Sequence, residues 1–245
     1  MNYFMKLLCC CLLLVAVESN AQLADKWTAS FSNPDGPGSV EVNDAVSDSN
    51  GETYLLATVF NGSDYDVYLR NYDEDGNLDW SQSYSSSVGG SEDFGVALTV
   101  DNSGNLYALI SINPDDAGTT THNGYAVRKY NASGTLLNDI ESTGMIGSVA
   151  TDITFLDQST DYVYISTYKA VAGEANNIFL VRRTTSLGFS ASVEFGGTSD
   201  EVAGKVYAQG SGAYISYYTG STVGYLGYAY TFTSSSSATA GSCWS

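Results

Sequence analysis

Histidine is almost missing from this chain. His122 is the only one, in the polar stretch from Asp115 to Gly124. A Ser-His-Asp triad therefore has a single available base, and no Gly-x-Ser-x-Gly surrounds any serine. His122 reads as a solvated loop side chain. Zinc chemistry is equally short of ligands, since His122 and Cys243 are all that a mature chain could offer. Basic residues are scarce too: 9 Lys+Arg stand against 27 Asp+Glu, a net charge of −18. Nucleic acid and anionic membrane surfaces need cations to neutralise phosphate, so neither is an expected partner. The three prolines, Pro34, Pro37 and Pro114, all fall in loop-like stretches. No phosphate-cradling Gly-rich loop with a Lys and no dinucleotide fingerprint is present. Beyond the N-terminus, no apolar run approaches the ~20 residues of a membrane span.

The N-terminus reads as an address. Lys6 precedes an apolar run from Leu7 to Val17, and Ser19-Asn20-Ala21 fits the small-x-small pattern of signal peptidase. The expectation is a secretory signal over residues 1–21, cut between Ala21 and Gln22, and a secreted or cell-surface mature chain without a membrane segment. Removal of Cys9, Cys10 and Cys11 leaves Cys243 as a lone thiol. It is either free or available for contact with another chain. Secretion also gives meaning to two sequons, Asn61-Gly62-Ser63 and Asn131-Ala132-Ser133, so Asn61 and Asn131 are the glycosylation candidates.

The body is a repeat. Trp27 and Trp80 are 53 residues apart, as are Asp48-Ser-Asn-Gly-Glu-Thr-Tyr54 and Asp101-Asn-Ser-Gly-Asn-Leu-Tyr107. Weaker copies end in Tyr164 and Tyr214. Four copies, over 27–79, 80–138, 139–190 and 191–243, fill the chain. Within each, short β-branched and aromatic segments alternate with Asn/Asp/Gly/Ser clusters. In Asp73-Glu-Asp-Gly-Asn77 the glycine sits where φ must be positive. The alternating Asp73, Asp75 and Asn77 read as a hairpin turn, because the spacing fails the calcium-loop pattern. No helical period follows the leader. Four antiparallel strands per ~50-residue unit predict an all-β fold, a β-propeller of about four four-stranded blades over 22–245. Four such blades close as a compact ring, or form an incomplete propeller that is a fragment or needs a second copy.

The run Trp80-x3-Tyr84, Gly89-Gly90-Ser-Glu-Asp93, Ala97-Leu-Thr-Val-Asp101, Ser-Gly-Asn105-Leu-Tyr107 resembles the bacterial-type β-propeller repeat called the SBBP repeat. Repeats one and two carry the likeness; repeats three and four lack the Trp and the Gly-Asn turn. The resemblance implies a secreted or surface-exposed propeller and no particular reaction.

Carboxylates are what remains for chemistry. Glu41, Asp93 and Asp200 follow a Gly-[Ser/Thr]-x pattern and fall just before the strand expected to line the axis. Convergence there would form a polar-ligand or cation site at a channel mouth; the competing reading has them bond loop backbone and join blades. No other cofactor is expected, and no catalytic residue is singled out. Tyr217, Tyr218, Tyr225, Tyr228 and Tyr230 are denser than packing requires and mark either an exposed aromatic edge or the last blade. The leading expectation is a non-catalytic extracellular module that binds a glycan or protein, or serves structurally. The alternative is a carboxylate-dependent glycan hydrolase or lyase.

Overall fold

The computed structural model describes residues 27–34, 36–86, 92–112, 124–142, 147–157, 161–171, 175–196, 200–209, 212–219, 222–234 and 237–243, with backbone alone from Tyr218 onward. They form sixteen strands in four antiparallel sheets of four, each sheet in simple sequence order. Blade one holds β1 (Val40–Ser47), β2 (Thr53–Phe60), β3 (Tyr65–Tyr72) and β4 (Leu78–Tyr84). Blade two holds β5 (Asp93–Val100), β6 (Leu106–Ile112), β7 (Gly124–Tyr130) and β8 (Leu136–Glu141). Blade three holds β9 (Ser148–Leu156), β10 (Tyr162–Ala170), β11 (Asn176–Thr184) and β12 (Phe189–Phe195). Blade four holds β13 (Glu201–Gln209), β14 (Gly212–Thr219), β15 (Thr222–Ser234) and β16 (Ser237–Cys243).

Turn chemistry makes these hairpins. In Asp101-Asn-Ser-Gly104-Asn105 the carboxylate accepts the N–H groups of Ser103 and Asn105, both at 2.9 Å, and Gly104 turns with φ 76°. The same backbone pair, residue one to residue five and residue four to residue one, closes the turns at Asp48, Asp73, Asn131 and Thr184. Glycine takes the left-handed position in all but the last, because it has no Cβ to clash there.

The sheets stack face to face. One apolar cluster joins blades one and two through Leu56, Leu69, Ala108 and Ile110. A second joins blades two and three through Leu109, Val127, Ile165 and Val181. A third joins blades three and four through Leu180, Ala203 and Ile215. Each fully buried Leu or Ile contributes about 1.5–3 kcal/mol. The first strand of each blade packs on that of the next, β1 on β5, β5 on β9 and β9 on β13. Among the described residues nothing comparable joins β13 to β1. The expectation of a compact closed four-bladed ring is corrected here: the four sheets form an incomplete propeller.

Sequence repeats and blades are out of phase by one strand. Trp80, which opens repeat two, lies in β4 of blade one, opposite Asn71. It reaches forward to stack on Tyr130 of blade two, centroids 6.0 Å apart, and its Nε1 donates to the Ala132 carbonyl at 2.9 Å. Tyr84, four residues later, lies under the Arg128 guanidinium, 4.6 Å from the ring centroid. The segment before β1 repeats this arrangement. Trp27 stacks on Tyr72 at 5.7 Å, and Arg70 lies 3.8 Å from the Phe31 ring centroid. Trp27 to Phe31 thus occupies, on blade one, the place of the outer strand of a preceding blade.

Candidate functional site

Antiparallel order gives every blade two unlike ends. At one end lie the tight turns between first and second strands and between third and fourth. At the other lie the connections between second and third strands and between successive blades. The predicted acid site belongs to the second end.

The register separates the three acids that the sequence pattern groups. The strand-two tyrosines Tyr54, Tyr107, Tyr164 and Tyr214 pair with Val46, Thr99, Thr154 and Tyr207. Counting back six residues from each partner gives Val40, Asp93, Ser148 and Glu201, where the first strands begin. Asp93 is therefore equivalent to Ser148 and Glu201. Glu41 and Asp200 are each one residue out of step, and a single step along a strand turns a side chain to the other face. Glu41, opposite Thr58, is exposed, as is Asp200. Asp93 and Glu201 are buried. Sequence reasoning missed Ser148 and Glu201; their signal is the spacing back from the tyrosine partners, which becomes readable once the pairing is known.

Asp93 and Asp200 are engaged with backbone. Asp93 Oδ2 accepts the Ser86 N–H at 2.6 Å, holding the connection from blade one to blade two. Asp200 Oδ1 accepts the Asn176 N–H at 3.2 Å. Beside Asp93, the Tyr84 hydroxyl donates to Glu141 Oε1 at 3.0 Å. Burial, and then the charges of Glu141 and Asp93, push the Tyr84 phenol far above its ordinary value, so it stays protonated at any physiological pH.

Other carboxylates tie blade to blade. Asp44 Oδ2 accepts the Leu98 N–H at 2.7 Å, and Asp152 Oδ2 accepts the equivalent Val206 N–H at 2.8 Å. Lys205 Nζ reaches Asp152 Oδ1 at 3.1 Å. Burial still holds the Asp152 carboxyl above the usual range. At the turn end, Asp101 faces Lys129 Nζ at 3.4 Å, and the Tyr107 hydroxyl lies 3.0 Å from Asp101 Oδ2 and 3.2 Å from the Thr185 carbonyl. Burial opposes ionisation of Asp101, but bonds from Asn105 and Tyr107 and the Lys129 charge outweigh it, leaving the carboxyl below its ordinary value. Asp73 is held below its ordinary value by its bonds from Asn77. Its two oxygens accept Asp75 N–H, Asn77 N–H and Asn77 Nδ2, the pattern of a hairpin turn. Among the described residues, no group of three or more His, Cys, Asp or Glu is placed to hold a metal ion.

The remaining predicted positions are scattered. Asn61 lies in the connection after β2; its Nδ2 donates to Asp64 and to Asp66 at 2.9 Å, bonds that a glycan on this nitrogen would have to replace. Asn131 opens the turn after β7, where its Oδ1 accepts Ser133 Oγ and Thr135 N–H. Cys243 ends β16, opposite Gly227, and its side chain lies outside the described part, as do those of Tyr218, Tyr225, Tyr228 and Tyr230. Tyr217 is buried against blade three. Residues 1–26, with Ala21 and Gln22, and His122 and Trp244 also lie outside the described residues. Among the described residues no helix is long and apolar enough to cross a membrane.

No protein-family model matches the chain, and no curated protein matches it. Solved structures that it resembles include a polysaccharide lyase, Uly1, at 8% identity and a TM-score of 0.39, covering 76% of this chain and 53% of that one. The chain thus spans about half the length of that lyase. A likeness of this depth carries neither fold nor activity across, and the resemblance to SBBP repeats rests on the residues of repeats one and two.

Proposed function

We propose that this chain is a secreted, non-catalytic binding module of SBBP-like blades that engages an extracellular glycan or protein at the connection end of its sheets. One observation carries the reading: the buried carboxylates Asp93 and Asp152 are committed to the N–H groups of loops and neighbouring blades, while Glu41 and Asp200, the latter bonded to the Asn176 N–H through one oxygen, stand exposed at that end. Exposed acids suit hydroxyl-rich or cationic ligand groups, including a bound cation, and cost little desolvation before contact. Asp93 then supports the site from beneath by bracing the loop at Ser86.

The test is binding of the chain from Gln22 onward to glycan and protein arrays, with each polymeric glycan also assayed for chain shortening. A retained ligand whose affinity falls about tenfold or more in the Glu41→Ala/Asp200→Ala double variant is the expected result. Shortening of any glycan would favour the hydrolase or lyase alternative instead. Absence of any ligand from both arrays would sink the binding reading.

A further inference from the structure

The open propeller has two unlike ends. One is the face of blade four that points away from blade three, and the other is the face of blade one that points away from blade two. Tyr54, Tyr107 and Tyr164 lie on the forward faces of blades one to three and are 0%, 0% and 1% exposed, because the next blade covers them. Their equivalent in blade four, Tyr214, is 37% exposed, and Tyr207 opposite it is 62% exposed. The rear face of blade one is covered on its outer half by Trp27 and Phe31, which pack on Tyr72 and Tyr68. Its inner half is open at Val42, 53% exposed.

These two faces match at two positions, one in side-chain size and one in charge. Val42, Gly95, Ala150 and Ala203 each lie four residues before the partner of the strand-two tyrosine. Gly95 meets Leu56, the residue two after the tyrosine of the preceding blade, so closely that a Cβ would lie 2.8 Å from Leu56 Cγ. The corresponding residue in blade four is Ser216, small enough to receive Val42. Asp44, Ala97, Asp152 and Lys205 form another equivalent set, two residues before the tyrosine's partner. Across the third junction Asp152 and Lys205 are bonded at 3.1 Å. A blade one placed after blade four would bring Asp44 to the other side of Lys205, whose side chain is 74% exposed.

We propose that the two inner strands of blade four, β13 and β14, dock on the inner half of the rear face of blade one in a second copy of this chain, inside the place that Trp27 to Phe31 fill, so that two four-bladed arcs close one ring through two identical interfaces. The contact is head-to-tail, so it closes or polymerises. Two copies would cover Tyr207 and Tyr214 on blade four and Val42 on blade one, which stand exposed among the described residues.

Light scattering on the chain from Gln22 onward, under reducing conditions that exclude pairing through Cys243 and at about 0.15 M salt to screen the acidic surfaces, reads the assembly directly. Twice the chain mass is expected. Tyr207→Arg and Val42→Arg should each halve that mass with an unchanged far-ultraviolet circular dichroism spectrum. Mixing the two variants should restore the doubled mass, because the mixed pair retains one interface with neither substitution. A wild-type monomer, an open-ended polymer, or a Val42→Arg variant that stays dimeric would overturn the proposal; the last outcome would mean that blade one takes no part. If an arginine variant loses its sheet spectrum, Tyr207→Ser and Val42→Ser make the same comparison.

Discussion

The junction between blades one and two and the junction between blades two and three use the same backbone turn but fill it in opposite ways. At the first, Gly134 takes φ 77° and the Trp80 ring rests on it, so close that a Cβ would lie 2.7 Å from the indole. At the second, the residue in the tryptophan's register is Asn138, opposite Lys129 as Trp80 is opposite Asn71, and it is exposed. The turn position belongs to Leu187, which holds φ 63° and sinks its own side chain into the core of blades two and three. Either the neighbouring blade supplies the apolar group and the turn supplies the space, or the turn supplies both. A leucine in the left-handed region costs about 1–2 kcal/mol. Burial of its side chain, about 1.5–3 kcal/mol, offsets that cost.

The polar groups differ as sharply. Between blades two and three the Tyr107 hydroxyl meets Asp101 and the Thr185 carbonyl, and Lys129 bonds that same carbonyl at 3.1 Å. Between blades one and two the Trp80 indole bonds the carbonyl of the facing turn. The hydroxyl of Tyr54, equivalent to Tyr107, is left buried without a partner. Burial and the charges of Asp48, Glu52 and Asp79 push this phenol up to about 12.

The largest effect should come from Gly134→Ala. It adds a Cβ against Trp80 at a positive φ, and the loss should be about 2–4 kcal/mol in urea unfolding. A double change, Gly134→Leu with Trp80→Asn, imports the second solution into the first junction. It should cost less than the sum of the two single changes, and additivity in a double-mutant cycle would break the comparison. Leu187→Gly should lose about 1–3 kcal/mol, since the lost burial exceeds the relieved backbone strain.

Smaller effects separate the tyrosines. Tyr107→Phe should cost about 1–2 kcal/mol because it strips a bond from the buried Asp101 carboxylate, whereas Tyr54→Phe should be neutral or slightly stabilising. Equal losses at the two positions would show that the hydroxyls are not distinguished. The smallest effect is in pH dependence. Asp101 titrates below its ordinary value in the folded chain, so its contribution is present above about pH 4. That contribution is lost as pH falls through the folded value. Asp152 acts with the opposite sign: its raised carboxyl makes stability fall as pH climbs from the ordinary carboxylate value to the folded one. Tyr107→Phe should therefore shrink the acid-side loss in a pH series of urea midpoints, and Asp152→Asn should remove the opposing slope.

Much of the architecture was legible because it is local. The residues of Asp101 to Asn105 and Asp73 to Asn77 contain their own turn: the carboxylate, the N–H groups it accepts and the glycine lie within five positions. Recurrence of those turns between β-branched and aromatic runs was enough for four antiparallel blades. Leu187 was hidden, because a leucine at a left-handed turn position is stabilised only by the core of two blades, which no local pattern records. The acid site was misaligned for a related reason. A Gly-[Ser/Thr]-x-acid pattern counts from a loop, whereas the face of a side chain counts from the paired strand.

The sequence by itself determined the hairpins, their turns and the number of blades, since each depends on groups a few residues apart. Only the tertiary structure decided that Trp80 serves the blade after its own strand and that Trp27 packs on blade one in the same way, that Asp93 aligns with Ser148 and Glu201, and that the fourth sheet leaves Tyr214 uncovered. Those outcomes depend on which surfaces meet across sheets some fifty residues apart, and burial against a distant partner leaves no fixed spacing for the chain to display.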